Sequence, residues 1–355
     1  MKVYFIGGQY MGCWYVRCLL PMLENGWLGN YWGLEKKLKS SQQVRREVAD
    51  ADIVVFHRAN TVSHHKLAIM LKQMGKKIVF DNDDTYHIDK NHAFYGLDEK
   101  GFKENTKFVN TLINNFIRNS DLVTTTTECL ADEYRKINPN VKVLPNMVQP
   151  DDWDEPLRNN GEKIRIGVVG SVAYYHDFRI VEDVLLKLDK DPRVQLVLFG
   201  LHSKKQRKIN KKTEEVHKRE YSFWDKLKNI EQVPWCSMEN YFDTLNELKL
   251  DIMMIPRADT YFNKCKSNIK FLEASMLEVP VITNYFKGSP YENDKDNLVM
   301  IKDNKTETWL TELDKLIKDK ELRRKIGKEA KKYVLKNYNI NNKAHLWEDA
   351  YKTIL

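Results

Sequence analysis

FNKCKSNIKFLEASMLEVPVI, from Phe262 to Ile282, is the stretch whose reading decides the fold. Its end, VPVIT at Val279 to Thr283, is an apolar run of the kind a buried parallel strand carries, so the segment reads as a helix running into a strand of an α/β domain. Ser267 is a good N-cap residue, and a helix starting there turns free backbone N–H groups and the positive end of its dipole toward an anion. Lys266, Lys270 and Glu273 follow at four- and three-residue spacings on one helical face, cations nearest the start and a carboxylate one turn deeper. Such a face, with the N–H groups of Ser267 and Asn268, can hold a diphosphate and accept hydrogen bonds from sugar hydroxyls. The plain alternative is a solvated Lys/Glu stripe, worth about a few tenths of a kcal/mol per pair; the buried strand that follows favours the binding reading.

The same alternation runs through the chain. Val3–Ile6, Ile53–Phe56, Lys77–Phe80, Asp121–Thr125 and Val141–Leu144 are short apolar runs separated by helical stretches. Pro145 to Gly161, rich in Pro, Asp, Asn and Gly, then reads as a linker. The pattern restarts with Ile164–Val169, Val194–Phe199, Ile252–Ile255, Val279–Thr283 and Leu298–Ile301. Two βα arrays imply two doubly wound, Rossmann-like sheets facing each other across a cleft, over residues 1–150 and 160–336. The length of 355 residues, with 42% hydrophobic and 11% aromatic residues, suffices for two cores, and 30% well-mixed charge argues against long disorder.

Ligands of open parallel sheets bind beyond the carboxyl ends of the strands, so the loops there are where function is sought. After Lys77–Phe80 comes DNDDTYHID, which gathers Asp81, Asp83, Asp84 and His87. Carboxylates this close repel one another unless a cation or a hydroxyl donor offsets them; a solvated turn with Asp83 or Asp84 as a helix cap is the alternative. Asp81-Asn82-Asp83 also resembles the Asp-x-Asp pattern by which glycosyltransferases of the GT-A fold hold a divalent metal on a nucleotide diphosphate, and its oxygen ligands would suit Mg²⁺ or Mn²⁺. Five cysteines, at 13, 18, 129, 236 and 265, show no metal spacing or CxxC pair. No apolar run reaches the roughly 18 residues a bilayer span needs, and MKVYFIGG runs straight into a strand with no signal segment, so the expectation is a cytoplasmic protein, with peripheral membrane contact open. The net charge of +8 suits acidic partners. Within it, Lys204, Lys205, Arg207, Lys208, Lys211 and Lys212 crowd one helical stretch: a solvated insertion, or a contact for an anionic acceptor, a membrane surface or nucleic acid.

The Phe262–Ile282 segment, with GSVAYYHD at Gly170 to Asp177, resembles the nucleotide-sugar half of GT-B glycosyltransferases, especially the large retaining family numbered four, and the resemblance covers nearly the whole chain. It implies that Lys266 or Lys270 neutralises the donor diphosphate and that Glu273 binds ribose hydroxyls. Where members often carry a second glutamate, eight positions earlier, this chain has Cys265; it resembles a subgroup with FN-x-x-KS-x-x-K, in which backbone amides take over the sugar contacts. The resemblance also places the Gly7–Gly12 turn, with Gly8, and Gly170-Ser171, His176 and Gly200 near the donor, Trp235 beside the nucleobase, and Pro256-Arg257 and Tyr291 along the pocket. It further implies that NYNINNKAHLWEDAYKTIL, within residues 337–355, crosses back to the first domain. A structural role is the alternative at each of these positions. In a GT-B enzyme Lys and helix dipoles replace metal, so no metal or other cofactor is expected, and Asp81, Asp83, Asp84 and His87 would face the acceptor.

These readings converge on transfer of a sugar from a nucleotide-diphosphate sugar, a UDP-sugar favoured, to a hydroxyl of a glycan or lipid-linked acceptor in surface or envelope glycan synthesis. As the C1–O bond breaks the diphosphate gains negative charge, which Lys266, Lys270 and the N–H groups at Ser267 and Asn268 would stabilise. Family four implies retention, with the leaving phosphate taking the acceptor proton; in the N-terminal domain Asp83 or Asp84 would either orient the acceptor hydroxyl or act as a base. Two alternatives stay open: glycosylation of a modified nucleic-acid base, favoured by the basic run, and a non-catalytic nucleotide-binding scaffold, favoured by Cys265.

Overall fold

The computed structural model describes residues 1–7, 11–31, 37–87, 99–170, 175–200 and 226–355. Among them, continuous runs of Val, Ile and Phe form two all-parallel sheets. The first holds β1 (Val3–Gly7), β2 (Leu28–Gly29), β3 (Ile53–His57), β4 (Lys77–Asp81), β5 (Leu122–Thr125) and β6 (Val141–Val143), in the order β2-β1-β3-β4-β5-β6. The second holds β7 (Ile164–Val169), β8 (Val194–Phe199), β9 (Ile230–Val233), β10 (Ile252–Ile255), β11 (Val281–Asn284) and β12 (Val299–Ile301), in the order β12-β11-β10-β7-β8-β9. Side chains on both faces of each sheet are buried under helices, which is why the strands read as unbroken apolar runs and not as alternations. The fold is the α/β, two-sheet architecture the sequence implies.

Two local differences have clear causes. β2 has only two residues and carries no periodicity to read. β11 starts at Val281 and not at Val279, since Pro280 has no N–H for the ladder; its carbonyl instead accepts from the Met253 amide at 3.0 Å.

The helix after β1 is α-helical over Gly12–Trp14, widens to a π-turn over Tyr15–Leu19 and tightens again over Leu20–Glu24. Its start sits hard against the strand: a Cβ on Gly7 would lie 2.1 Å from the Trp14 ring, so only glycine fits there. The wide turn carries Arg17, which is fully buried. Its guanidinium grips Asp81 at the end of β4 with Nε–Oδ1 of 3.1 Å and Nη2–Oδ2 of 2.6 Å, and donates to the Leu144 carbonyl and to Asn146 Oδ1.

After β12 come two helices, Thr306–Lys318 and Lys320–Asn337, and the chain then returns to the first sheet. Val148 and Asn339 form a parallel bridge, with the Val148 amide donating to the Tyr338 carbonyl at 2.9 Å and the Ile340 amide to the Val148 carbonyl at 3.0 Å. The final helix, His345–Lys352, buries Trp347 and Tyr351 completely among Phe5, Trp14 and Leu19. Trp347 also lies 5.8 Å under the Arg17 guanidinium. The carboxyl ends of both sheets thereby face one cleft.

Candidate active site in the interdomain cleft

The cleft has a volume of about 330 Å³. Gly12, Cys13, Arg58, Asp83 and Asn146 line it from the first sheet's side, and Gly170, Gly200, Trp235, Tyr241, Lys266, Lys270 and Glu273 from the second's. Met11, Trp153, Met238 and Phe242 supply an apolar wall, with the Trp153 and Phe242 rings 4.6 Å apart. A few convergent charges in an otherwise apolar crevice is the make-up of a small-molecule site.

The local structure of the central segment differs from the sequence expectation. The helix spans Ile269–Met276 with Asn268 at the cap position and no side-chain cap bond, so Ser267 is not its N-cap. The reason is tertiary: the Ser267 hydroxyl accepts from the Asn146 amide, which reaches across from the first domain at 2.9 Å, while the Asn268 side chain donates to the buried Asp294 at 2.8 Å. Lys266 precedes the helix and does not share its face with Lys270 and Glu273.

Lys270 and Glu273, one turn apart, form a closed triangle with Tyr241. Lys270 Nζ donates to Glu273 Oε2 at 2.8 Å and to the Tyr241 hydroxyl at 2.6 Å, and that hydroxyl donates to Glu273 Oε2 at 2.7 Å. Burial alone would lower the lysine pKa, but Glu273 and Tyr241 outweigh it and hold it above the ordinary value. Lys270 is therefore a fixed cation on the cleft wall. Tyr241 in turn stacks on Phe199 at the end of β8, with centroids 5.7 Å apart.

Opposite stands an alternating row of charge. Arg58, just after β3, adopts a left-handed backbone (φ 49°) that few non-glycine residues take. Its guanidinium grips Asp83 with Nε–Oδ1 of 2.5 Å and Nη2–Oδ2 of 2.9 Å, and lies 3.4 Å from Asp84. Asp84 Oδ2 is also bonded to Lys266 Nζ across the cleft at 2.8 Å. His57 Nε2 lies 3.6 Å from Asp83. Burial would raise the Asp83 pKa, yet Arg58 and His57 hold it well below the carboxylate range, so Asp83 is ionised and already compensated. Burial, reinforced by Asp83, pushes the neighbouring Cys13 thiol up to about 12, leaving it a neutral wall residue.

The other residues named from sequence scatter. Gly170 and Gly200 face each other at the ends of β7 and β8; Gly200 has φ 83°, and a Cβ there would lie 2.8 Å from the Gly170 carbonyl. Trp235 is 60% exposed on the rim. Asp81 is 1% exposed and held by Arg17 and by the Thr124 hydroxyl at 2.7 Å, so it belongs to the core and not to the cleft wall. Asp81 and Asp83 thus serve different arginines in different surroundings. His87 bonds Glu133 at 3.2 Å, beside Tyr261. Pro256, Arg257 and Tyr291 are buried in the second domain, where Arg257 is paired with Asp177 at 2.9 Å and lies 3.5 Å from the Tyr291 hydroxyl; they brace the strand ends behind the cleft and do not line it. Gly8, Ser171, the side chain of His176 and the Lys204–Lys212 run lie outside the described residues.

Reasoning from sequence missed Arg58, Tyr241 and Asn146. Only Arg58 carried a signal, an arginine directly at the carboxyl end of the apolar run IVVF in IVVFHR.

Two parallel sheets whose carboxyl ends share a cleft, with Lys266 and Lys270 on one wall and the Arg58-paired Asp83 on the other, have the two-Rossmann-domain architecture of the GT-B fold. The chain belongs to the glycosyl transferases group 1 family, whose model matches residues 149–333. Among solved structures, the chain is similar over 99% of its length to all of Anabaena HepE in complex with UDP-glucose, at 11% identity and a TM-score of 0.66. It is similar over 100% of its length to 99% of sucrose-phosphate synthase from Thermosynechococcus elongatus, at 12% and 0.65. It is also similar over 99% to 98% of a glycosyltransferase from Rickettsia africae, at 13% and 0.63. At these identities the likeness is one of fold. No curated protein matches. Among the described residues, no helix is long and apolar enough to cross a membrane.

Proposed function

We propose that the chain transfers a sugar, with retention, from a UDP-sugar to a hydroxyl acceptor in surface or envelope glycan synthesis. Lys266 and Lys270 neutralise the diphosphate, Glu273 accepts the ribose hydroxyls, and Trp235 meets the base at the rim. Asp84, beside the Arg58–Asp83 pair, orients the acceptor hydroxyl. The observation that carries this reading is the 2.8 Å contact between Lys266 and Asp84: it sets the cation of the grip against the carboxylate wall at one point of the cleft, where a transferring sugar would have the leaving phosphate on one side and the attacking oxygen on the other. The complexes of HepE with UDP and with UDP-glucose support a nucleotide-sugar donor by fold analogy.

The chemistry follows from charge. As the anomeric carbon–oxygen bond lengthens, negative charge builds on the diphosphate, and a cation fixed in a water-poor cleft stabilises that charge more in the transition state than in the ground state. Cys265, at the position of the family's second glutamate, is buried among first-domain side chains, so sugar contacts fall to Arg58, Asn146 and backbone amides. Melting shifts and slow hydrolysis with UDP-, GDP- and ADP-sugars test the proposal: a UDP-sugar should raise the melting temperature most and be cleaved. A chain that neither shifts nor hydrolyses any of them is not this enzyme.

A further inference from the structure

The seam between the domains holds two thiols, one from each. Cys129, in the first turn of the helix Glu128–Arg135, and Cys265, next to Lys266, have their sulfurs 3.7 Å apart. Cys265 is fully buried and packs within the core cluster of the first domain, although its backbone belongs to the second. Cys129 is half-buried. Around them the seam is pinned by polar contacts: the Thr127 hydroxyl donates to the Cys265 carbonyl at 3.2 Å, and the Tyr261 hydroxyl donates to Glu133 at 2.6 Å. These bonds fix which thiol faces which.

We propose that Cys129 and Cys265 form a modification site, a reversible disulfide that locks the two domains together beside the donor grip. A disulfide needs sulfurs about 2.05 Å apart, so they have only about 1.6 Å to close, within reach of rotamer changes. With a peroxide as oxidant, the more accessible Cys129 thiolate attacks one peroxide oxygen, giving a sulfenic acid and water. The Cys265 sulfur then displaces the sulfenic hydroxyl as a second water, and two thiols have lost two electrons and two protons to one peroxide. A dithiol reverses the reaction. The bond would tether the residue adjoining Lys266 to the helix of the opposite domain, so it would suppress the opening by which substrates enter and products leave.

The site itself is independent of the donor; its effect on turnover rests on the proposed function. The full chain is treated with hydrogen peroxide, its free thiols are counted under denaturing conditions, and it is mapped by mass spectrometry of alkylated, non-reduced peptides. The expected result is a fall from five titratable thiols to three, one peptide joining 129 to 265, a higher melting temperature, and slowed donor hydrolysis that dithiothreitol restores. Cys129→Ser, a residue outside the cleft, should keep the activity of the reduced enzyme and lose all four responses; Cys265→Ala should lose the linked peptide as well. A thiol count that stays at five, or a map that joins other cysteines, overturns the site. A 129–265 bond that leaves hydrolysis unchanged overturns the lock. A reduced chain that cleaves no nucleotide sugar refutes the proposed function, while the thiol count and the map still decide the site.

Discussion

Replacing Glu273 with Gln separates binding from packing at the grip. The carboxylate receives bonds from Lys270 and Tyr241 on one oxygen, Oε2, which leaves Oε1 for the proposed contact with ribose. A hydrogen bond to a charged group contributes roughly 1.5–3 kcal/mol, so losing the charge should weaken UDP binding by about 2 kcal/mol, or about 30-fold in Kd. The same change removes the counterion of Lys270, whose side chain is only 14% exposed. Breaking a buried pair costs roughly 3–5 kcal/mol; with some solvent reaching the ammonium, about 2 kcal/mol is the expected loss, or a melting point lower by about 4–8 °C. Titration calorimetry with UDP and unliganded thermal unfolding measure the two effects. The control is Glu273→Leu with Lys270→Met, where an apolar pair of similar volume replaces the ions: stability should return and nucleotide binding should not. Should the Gln variant fold and bind UDP like the parent, or the double variant bind it, the assignment of Glu273 to ribose is wrong.

Lys266→Ala should lower turnover by about a hundredfold, as loss of one transition-state donor does, with a smaller change in nucleotide Kd; steady-state hydrolysis and calorimetry together check the split. Arg17→Met strands Asp81, 1% exposed, with only the Thr124 hydroxyl among the described residues; unfolding should show a loss of about 3–5 kcal/mol, most of it recovered by adding Asp81→Leu. Asp152 is pushed up to about 6 by burial, and its Oδ2 is buried without a hydrogen-bond partner among the described residues. The native state then holds a proton that the unfolded chain has released, so this group's contribution to stability falls as pH rises from about 4 through about 6. Denaturant titrations across that range should show the fall in the parent relative to Asp152→Asn; parallel curves would contradict it.

Much of the fold is legible because parallel strands covered on both faces must be continuous apolar runs, and Ile53–Phe56, Ile164–Val169 or Val194–Phe199 could be little else. That Lys266, Lys270 and Glu273 line the cleft was legible for a related reason, charged residues next to a buried strand sitting at its mouth or in a pair, although the shared helical face expected for all three did not form. Ser267 misled, since a hydroxyl that suits a local cap was taken by Asn146, 121 residues away. Arg257 misled in the same way, its charge consumed by Asp177.

The sequence by itself thus determined two βα arrays and a basic, carboxylate-bearing segment on the second, because periodicity and local spacing are properties of neighbouring residues. Only the tertiary structure decided that Asp81 belongs to Arg17, that Asp83 belongs to Arg58, that Tyr241 completes the Lys270–Glu273 triangle, and that Cys129 meets Cys265. Each of these pairings joins residues at least 25 positions apart. A buried charge or thiol takes whichever partner packing brings within reach, and no local pattern records that choice.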